Sequence, residues 1–417
     1  MVFKRNFYLQ QLIDSRENGM VKIVTGIRRC GKSFLLFTLF RNWLITHGTK
    51  EDHIVQLAMD NLDNEQLLNP NQLLAFIKQH LVNDGATNYI ILDEIQLVDK
   101  FVSVMLTLMQ MPHVEVYVSG SNSKFLSSDV VTEFRGRGWE IRVHPLSFAE
   151  YYEAIGGDRE RAIQTYYKYG GLPQVVLQKD EKSKREYLLN LYETVYLRDV
   201  IERNHLRNPE GMRQLIQVLA SDIGCSFNPK RLSNTFKSER GLSIAPQTID
   251  EYLRYLRDAF FISEAQRYDI KGRKYVGTEN KYFFEDIGIR NAIINFRQIE
   301  ENHTMENVIY NELRNRRYCV DVGLVEVWQT KENGVKERLR LEIDFIVNII
   351  PEKVYIQSAM VMPSVQKKDQ ELRPLLSVQD SFRKIVIVAY GYASGVNEDG
   401  VHIISLFDFL LNNNCIE

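Results

Sequence analysis

The chain has 417 residues, 44% hydrophobic and 25% charged, with a net charge of −2; this is too long for one ordinary domain and too nearly neutral for a global pull toward nucleic acid. Cys30, Cys225, Cys319 and Cys415 lie far apart with no C-x-x-C pair, which excludes a zinc ribbon and suits a reducing compartment. No apolar run reaches ~18–20 residues and no signal-peptide core opens the chain, so no membrane partner and a cytoplasmic location are expected.

Residues 3–16 are predicted as a helix leading into a short apolar strand, VKIVT, from Val21. The loop Gly26-Ile27-Arg28-Arg29-Cys30-Gly31-Lys32-Ser33 then has the spacing G-x-x-x-x-G-K-S of a phosphate-cradling P-loop. Gly26 and Gly31 allow the sharp turns that let successive N–H groups converge on phosphate oxygens. A helix over 32–47, with Phe34 in its first turn, aims its positive dipole end at the same place. Lys32 supplies an ammonium for the β- and γ-phosphates, and the Ser33 hydroxyl is a Mg²⁺ ligand.

A second strand is predicted over 53–59 and a helix over 71–82, opened by Pro70. Tyr89-Ile90-Ile91-Leu92-Asp93-Glu94 reads as a buried parallel strand closed by two acids, a Walker B pattern. Its carboxyl end faces the ligand crevice of an open α/β sheet. Asp93 is assigned to the Mg²⁺ shell and Glu94 to orienting and deprotonating the attacking water. Gln96 follows closely enough to line the same crevice. The strand over 115–118 ends in Ser119-Gly120-Ser121-Asn122-Ser123, where Asn122 and Ser119 are candidates to sense the γ-phosphate; a serine-rich turn capping the next helix explains the same residues. Arg135 and Arg137, in the glycine-flanked loop before a strand over 139–143, are either solvated surface groups or fingers for a neighbouring subunit's phosphates, with Arg137 the candidate.

The series GIRRCGKS, YIILDEIQ, VSGSNS, RGRGWEIRVHPLSFAEY and YGGLPQVV resembles prokaryotic AAA-type ATPases of the archaeal-ATPase/STAND-like branch. The resemblance spans nearly the whole chain. It implies a parallel-sheet P-loop domain followed by a winged helix and a C-terminal domain of nuclease-like form. It also implies an adenine-side contact for Pro173, which follows Gly171 and Leu172 in the pattern of the family's lid turn. From the residues alone, 169–173 is a helix stop and restart.

Residues 158–203 have a helical pattern suited to a lid packed against the sheet. Helices over 211–223, 229–237 and 246–258, then strands over 260–268 and 281–284 joined by a Lys/Gly-rich loop, make a winged helix. Between 226 and 282 eleven Lys/Arg face seven Asp/Glu, and Lys271, Arg273 and Lys274 in the wing suit phosphates. Asp250 and Glu251 on the recognition helix oppose DNA, and winged helices also serve as protein-interaction modules.

Further on, a helix over 305–316 precedes strands over 320–328, 338–347 and 354–356, with a hairpin turn at Asn333-Gly334. This order resembles a PD-(D/E)XK nuclease core. Asp344 and a helical Glu306 or Glu312 match its carboxylates, but Gln357-Ser358-Ala359 stands where Glu-x-Lys is needed, so cleavage is not expected. A strand over 384–389 and a helix over 406–411 close the chain.

The sequence therefore specifies an α/β protein: a P-loop NTPase domain of parallel-sheet AAA type (1–155), a helical lid (156–207), a winged helix (208–290) and a restriction-endonuclease-like α/β domain (291–417). The expected function is Mg²⁺-dependent, slow ATP hydrolysis that switches the C-terminal domains, with ATP preferred because no Asn-Lys-x-Asp guanine reader occurs. The alternative is a DNA-binding or DNA-processing protein gated by ATP. A protein partner and homo-oligomerisation are compatible with either.

Overall fold

The computed structural model describes residues 2–120, 134, 136–239, 241–297, 299–330, 336–349 and 352–416. They form two compact units: Met1–Pro145 with Leu172–Gln174 and Asp258–Phe260, and the remainder.

In the first unit α1 (Asn6–Asp14) buries Tyr8 and Leu12. It starts later than the predicted residue 3, after Arg5, which takes a left-handed φ of 48° and turns its guanidinium onto His144 O, and it ends at Asp14 rather than 16. β1 (Val21–Thr25) is buried along its whole length. α2 runs over 32–46, with Leu35–Phe40 wound as π-helix. Then come β2 (Ile54–Ala58), α3 (Pro70–His80), β3 (Asn88–Asp93), α4 (Phe101–Met109), β4 (Val114–Ser119) and β5 (Gly138–Arg142).

The five strands form one parallel sheet in the order β2-β3-β4-β1-β5. Such a sheet is covered on both faces, which is why β1 and β3 read as unbroken apolar runs. On one face Ile23, Ile90, Leu92 and Val118 pack with Leu73 and Ile77 of α3 and Met105 and Leu108 of α4. On the other, Phe40 of α2 meets Tyr117 with ring centroids 4.5 Å apart. Buried Lys22 pairs there with Glu115, and burial lowers the Lys22 pKa despite that partner. The register sets Val24 opposite Ser119 and Leu92 opposite Val118. The carboxyl ends of β1, β4 and β3 therefore lie side by side at one edge.

In the second unit α5 (Phe148–Ile155) starts with a reciprocal capping box between Ser147 and Glu150. α6 (Arg159–Tyr169) follows, then a helical stretch α7 over 181–203, α8 (Pro209–Ser221), β6 (Ser226–Phe227), α9 (Pro229–Glu239) and α10 (Pro246–Asp258). Next are β7 (Ile262–Asp269), β8 (Lys274–Phe284), α11 (Ile287–Ile293), α12 (Glu301–Asn315), β9 (Cys319–Thr330), β10 (Lys336–Ile349) and β11 (Glu352–Ala359). The chain ends with α13 (Val365–Leu376), β12 (Arg383–Val388), β13 (Gly395–Val396), β14 (His402–Ser405) and α14 (Leu406–Leu411).

Three findings reshape the expectations for this unit. The helices expected as a lid pack within it: Phe148 of α5 lies edge-on to Tyr166 of α6 and against Phe407 of α14. Of residues 156–207, only Leu172–Gln174 group with the first unit. The expected wing is part of a nine-stranded sheet, β13-β14-β12-β11-β10-β9-β7-β8-β6, because β7 pairs in parallel with β9 from Arg267↔Val322 to Asp269↔Leu324. Finally, β8 begins at Lys274 rather than 281, so Lys274 is a strand residue and the turn is confined to 270–273. Gly277 and the polar Glu279 and Asn280 break the apolar pattern of this strand, which β7 pairs on either side of them, at 274–276 and 281–284. The Asn333-Gly334 turn lies outside the described residues.

Candidate active site

The loop after β1 is shaped by contacts that admit no side chain at its first glycine. Gly26 has φ 141°, and a Cβ there would lie 2.1 Å from Val143 O. Val143 N–H in turn donates to Thr25 O at 2.8 Å, so β5's continuation pins the start of the loop. Cys30 is buried and its thiol donates to Val143 O at 3.3 Å; it is a packed spacer. Ile27 is buried, Arg28 half-buried and Arg29 exposed, with Arg29 at a left-handed φ of 66°. The Lys32 ammonium is buried and donates to Gly26 O at 3.0 Å and Ile27 O at 3.1 Å. It thus lies against the loop's own backbone. Ser33 is exposed in the first turn of α2, followed by half-buried Phe34. A Cβ on Gly31 would sit 3.8 Å from Pro173 Cγ, so Pro173 stands beside the loop.

At the end of β3 the buried Asp93 accepts a hydrogen bond from Ser119 Oγ. The same hydroxyl accepts from Glu94 N–H at 3.3 Å. Ser119 is fully buried, and one hydroxyl therefore bridges both acidic positions. Glu94 has a left-handed φ of 51°, and its carboxylate accepts from Gln96 Nε2. Asn122 and Arg135 lie outside the described residues. Arg137 is exposed at the amino end of β5, where its carbonyl accepts from Val21 N–H at 2.9 Å. The P-loop is at the opposite end of the strand, roughly 16 Å away at ~3.3 Å per residue. Arg137 is thus no part of this chain's own phosphate pocket. The arginine at the correct end is Arg142, opposite Thr25 in register and stacked over Phe260 at 4.9 Å. Two rungs back on β5, Glu140 accepts from Thr25 Oγ1 at 2.6 Å.

The donors present fit a magnesium–triphosphate. Among the described residues no group of three or more His, Cys, Asp and Glu is arranged around a metal. Mg²⁺ beside a nucleotide does not need one, since it keeps several waters and takes one or two protein oxygens plus phosphates. Ser33 carries a hydroxyl and Asp93 a carboxylate of the kind such an ion takes.

The second unit holds a different acidic centre. Lys281 of β8 is buried and pairs with Glu306 at 2.8 Å and Glu342 at 2.6 Å, while Glu342 also takes Arg267. Burial works against the Lys281 charge, yet Glu306, Glu342 and Asp344 outweigh it and raise its pKa above the ordinary value. Burial would likewise raise Glu306, but Lys281 and His303 hold it low. Asp344, accepting from Ser358 N–H at 2.8 Å and Ser358 Oγ at 2.6 Å, is pushed up to about 7 by burial and by Glu306. Glu306, Asp344, Gln357, Ser358 and His303 line a cavity of about 230 Å³. The sequence pattern placed no ammonium here; the fold brings one in from another strand. Glu312, the other candidate, instead binds Arg316 Nε at 2.7 Å.

The Gly170-Gly171 turn is held by Asp286, which accepts from Gly171 N–H at 2.8 Å. A Cβ on Gly170 would fall 2.3 Å from that carboxylate, and one on Gly288 would fall 2.1 Å from Tyr169 O. Burial pushes Asp286 up to about 6. Sequence patterning missed Lys281, Arg142 and Asp286; the signal for Lys281 was a lone cation heading the aromatic run Tyr282-Phe283-Phe284, all four residues being buried.

Residues 18–152 match a family described as an AAA domain, and residues 160–300 a domain of unknown function, DUF8612. An uncharacterized protein of Haemophilus influenzae is 31% identical over 415 residues, 98% of this chain and 99% of its own length. The uncharacterized protein MJ1544 of Methanocaldococcus jannaschii is 26% identical over 343 residues, 78% of this chain and 72% of its own. Among solved structures, the Walker-type ATPase PABY2304 of Pyrococcus abyssi is similar over 70% of this chain and 96% of that one, with a TM-score of 0.49 and 14% identity. No helix among the described residues is long and apolar enough to cross a membrane.

Proposed function

This chain belongs to the family of its full-length Haemophilus influenzae relative, its residues 18–152 are an AAA domain, and from that premise we propose a Mg²⁺-dependent ATPase whose nucleotide state switches the C-terminal unit. The observation that carries the reading is that the 26–33 loop and the Asp93-Glu94 pair stand at the carboxyl ends of β1 and β3, which lie at the same end of one parallel sheet on either side of β4. Loop amides and the N-terminus of α2 take the phosphate oxygens. The Lys32 ammonium exchanges its two loop carbonyls for β- and γ-phosphate oxygens. Ser33 and Asp93 hold Mg²⁺, which when bound offsets phosphate charge. Pro173 lies on the adenine side.

Glu94 accepts a proton from the water whose oxygen bonds to the γ-phosphorus as the bond to the β,γ-bridging oxygen breaks, giving ADP and phosphate. The test is phosphate release from Mg–ATP by wild type and Glu94→Gln. A kcat fall of about 10²–10⁴-fold with ATP affinity kept is expected. Wild-type release no faster than that of Glu94→Gln would overturn the reading.

A further inference from the structure

Glu94 is followed by a single 3₁₀ turn, Ile95–Leu97. Its left-handed φ of 51° is a conformation that costs a non-glycine residue ~1–3 kcal/mol unless its surroundings enforce it. The consequence is that Gln96, two residues on, lies beside the Glu94 carboxylate and donates to it from Nε2. A carboxylate only accepts hydrogen bonds, so the amide nitrogen must face Glu94 and the amide oxygen must face away. That oxygen, Gln96 Oε1, is buried and has no hydrogen-bond partner among the described residues. An orphaned buried acceptor costs ~1–3 kcal/mol, which marks a place where a donor is expected.

We propose that Gln96 is the positioning residue for hydrolysis, holding Glu94 through its amide nitrogen and the attacking water through its amide oxygen. This rests on the ATPase reading above. Gln96 Oε1 is closed to solvent in this structure, so nucleotide binding must uncover it; a water that then gives one hydrogen to the Glu94 carboxylate and the other to Gln96 Oε1 has both protons directed. Fixing a nucleophile in that way is a large part of what a phosphoryl-transfer site contributes. The opposite end of Glu94 is fixed as well, because its N–H is held by Ser119, whose hydroxyl also binds Asp93.

The test is a double-mutant cycle on kcat with Gln96→Met, which has nearly the same length but neither donor nor acceptor, and Glu94→Gln. Gln96→Met should lower kcat about 10- to 100-fold with ATP affinity within ~2-fold of wild type, and should cost nothing further in the Glu94→Gln background. Gln96→Glu keeps length and polarity but removes the donor and repels Glu94, so it should lose kcat too; this variant serves if the methionine disturbs folding. Wild-type kcat in either folded variant, multiplicative losses in the cycle, or a parallel loss of ATP affinity would overturn the proposal. Wild-type protein with no turnover would instead overturn the ATPase reading, and this inference with it.

Discussion

In the first unit Asp93 accepts from the Ser119 hydroxyl, a neutral donor; in the second, Glu306 and Glu342 accept from the Lys281 ammonium, a full cation. A hydroxyl orients a carboxylate and leaves its charge to be used by an incoming metal. An ammonium cancels the charge and adds the desolvation cost of a second ion, which only good geometry offsets. The cation of the first unit, Lys32, is bonded to neutral loop carbonyls, contacts that a polyanion outcompetes. Lys281 has carboxylates on two sides and is not so easily displaced. Similar residue types thus leave an ammonium and a carboxylate bound to neutral groups in one unit and make a self-compensated centre joining β8, β10 and α12 in the other.

Removing each cation tests that contrast directly. Lys32→Ala should weaken ATP binding by at least ~100-fold in a calorimetric titration, since charge-assisted phosphate contacts are among the strongest at such sites; retained micromolar affinity would mean the ammonium is dispensable there. Lys281→Met should leave ATP affinity within about twofold but lower the stability of the second unit by about 3–5 kcal/mol, the usual cost of stranding a buried partner. Glu306 then keeps only the longer His303 contact at 3.7 Å among the ion pairs described here, and Glu342 keeps Arg267. An unchanged thermal transition in the variant would show that the ammonium is not what makes those carboxylates tolerable.

The contrast also explains which parts could be read from residue order. The P-loop and Walker B strand are contiguous in sequence, and each residue type has a local task, so spacing alone revealed them. Lys281 and Glu306 are 25 positions apart and meet only because β8 and α12 pack together. Arg137 drew attention through its flanking glycines, yet strand register decides the end of the sheet: Val21 faces Gly138 and Thr25 faces Arg142. Register is set by tertiary pairing, not by a four-residue pattern. α4, FVSVMLTLM, is apolar on most of its surface and shows no clean helical period, and α13 carries Pro374 inside its last turn, so neither was assigned from sequence. The wing hairpin was recognisable as a hairpin, while its parallel partner β9 was not, because that pairing is made across more than fifty residues.

Asp344 gives the smallest effect and the finest discrimination within the acidic centre. Its carboxyl is pushed up to about 7 in the folded protein, first by burial and then by Glu306, from an ordinary value of ~4. Between these values the folded state holds a proton that the unfolded chain has lost, so the stability from this group is full below about pH 4 and declines as pH rises toward and past 7. Lys281 opposes the shift, and Ser358, through its N–H and hydroxyl, favours the charged form. Asp344→Asn stays neutral, keeps a carbonyl for Ser358, and should match wild type near pH 4 while melting higher at pH 8. The difference between the two melting curves, measured across that range, isolates this carboxyl from the others. Parallel curves would mean that Asp344 is already ionised at neutral pH, and that the Lys281 ammonium balances three carboxylates rather than two.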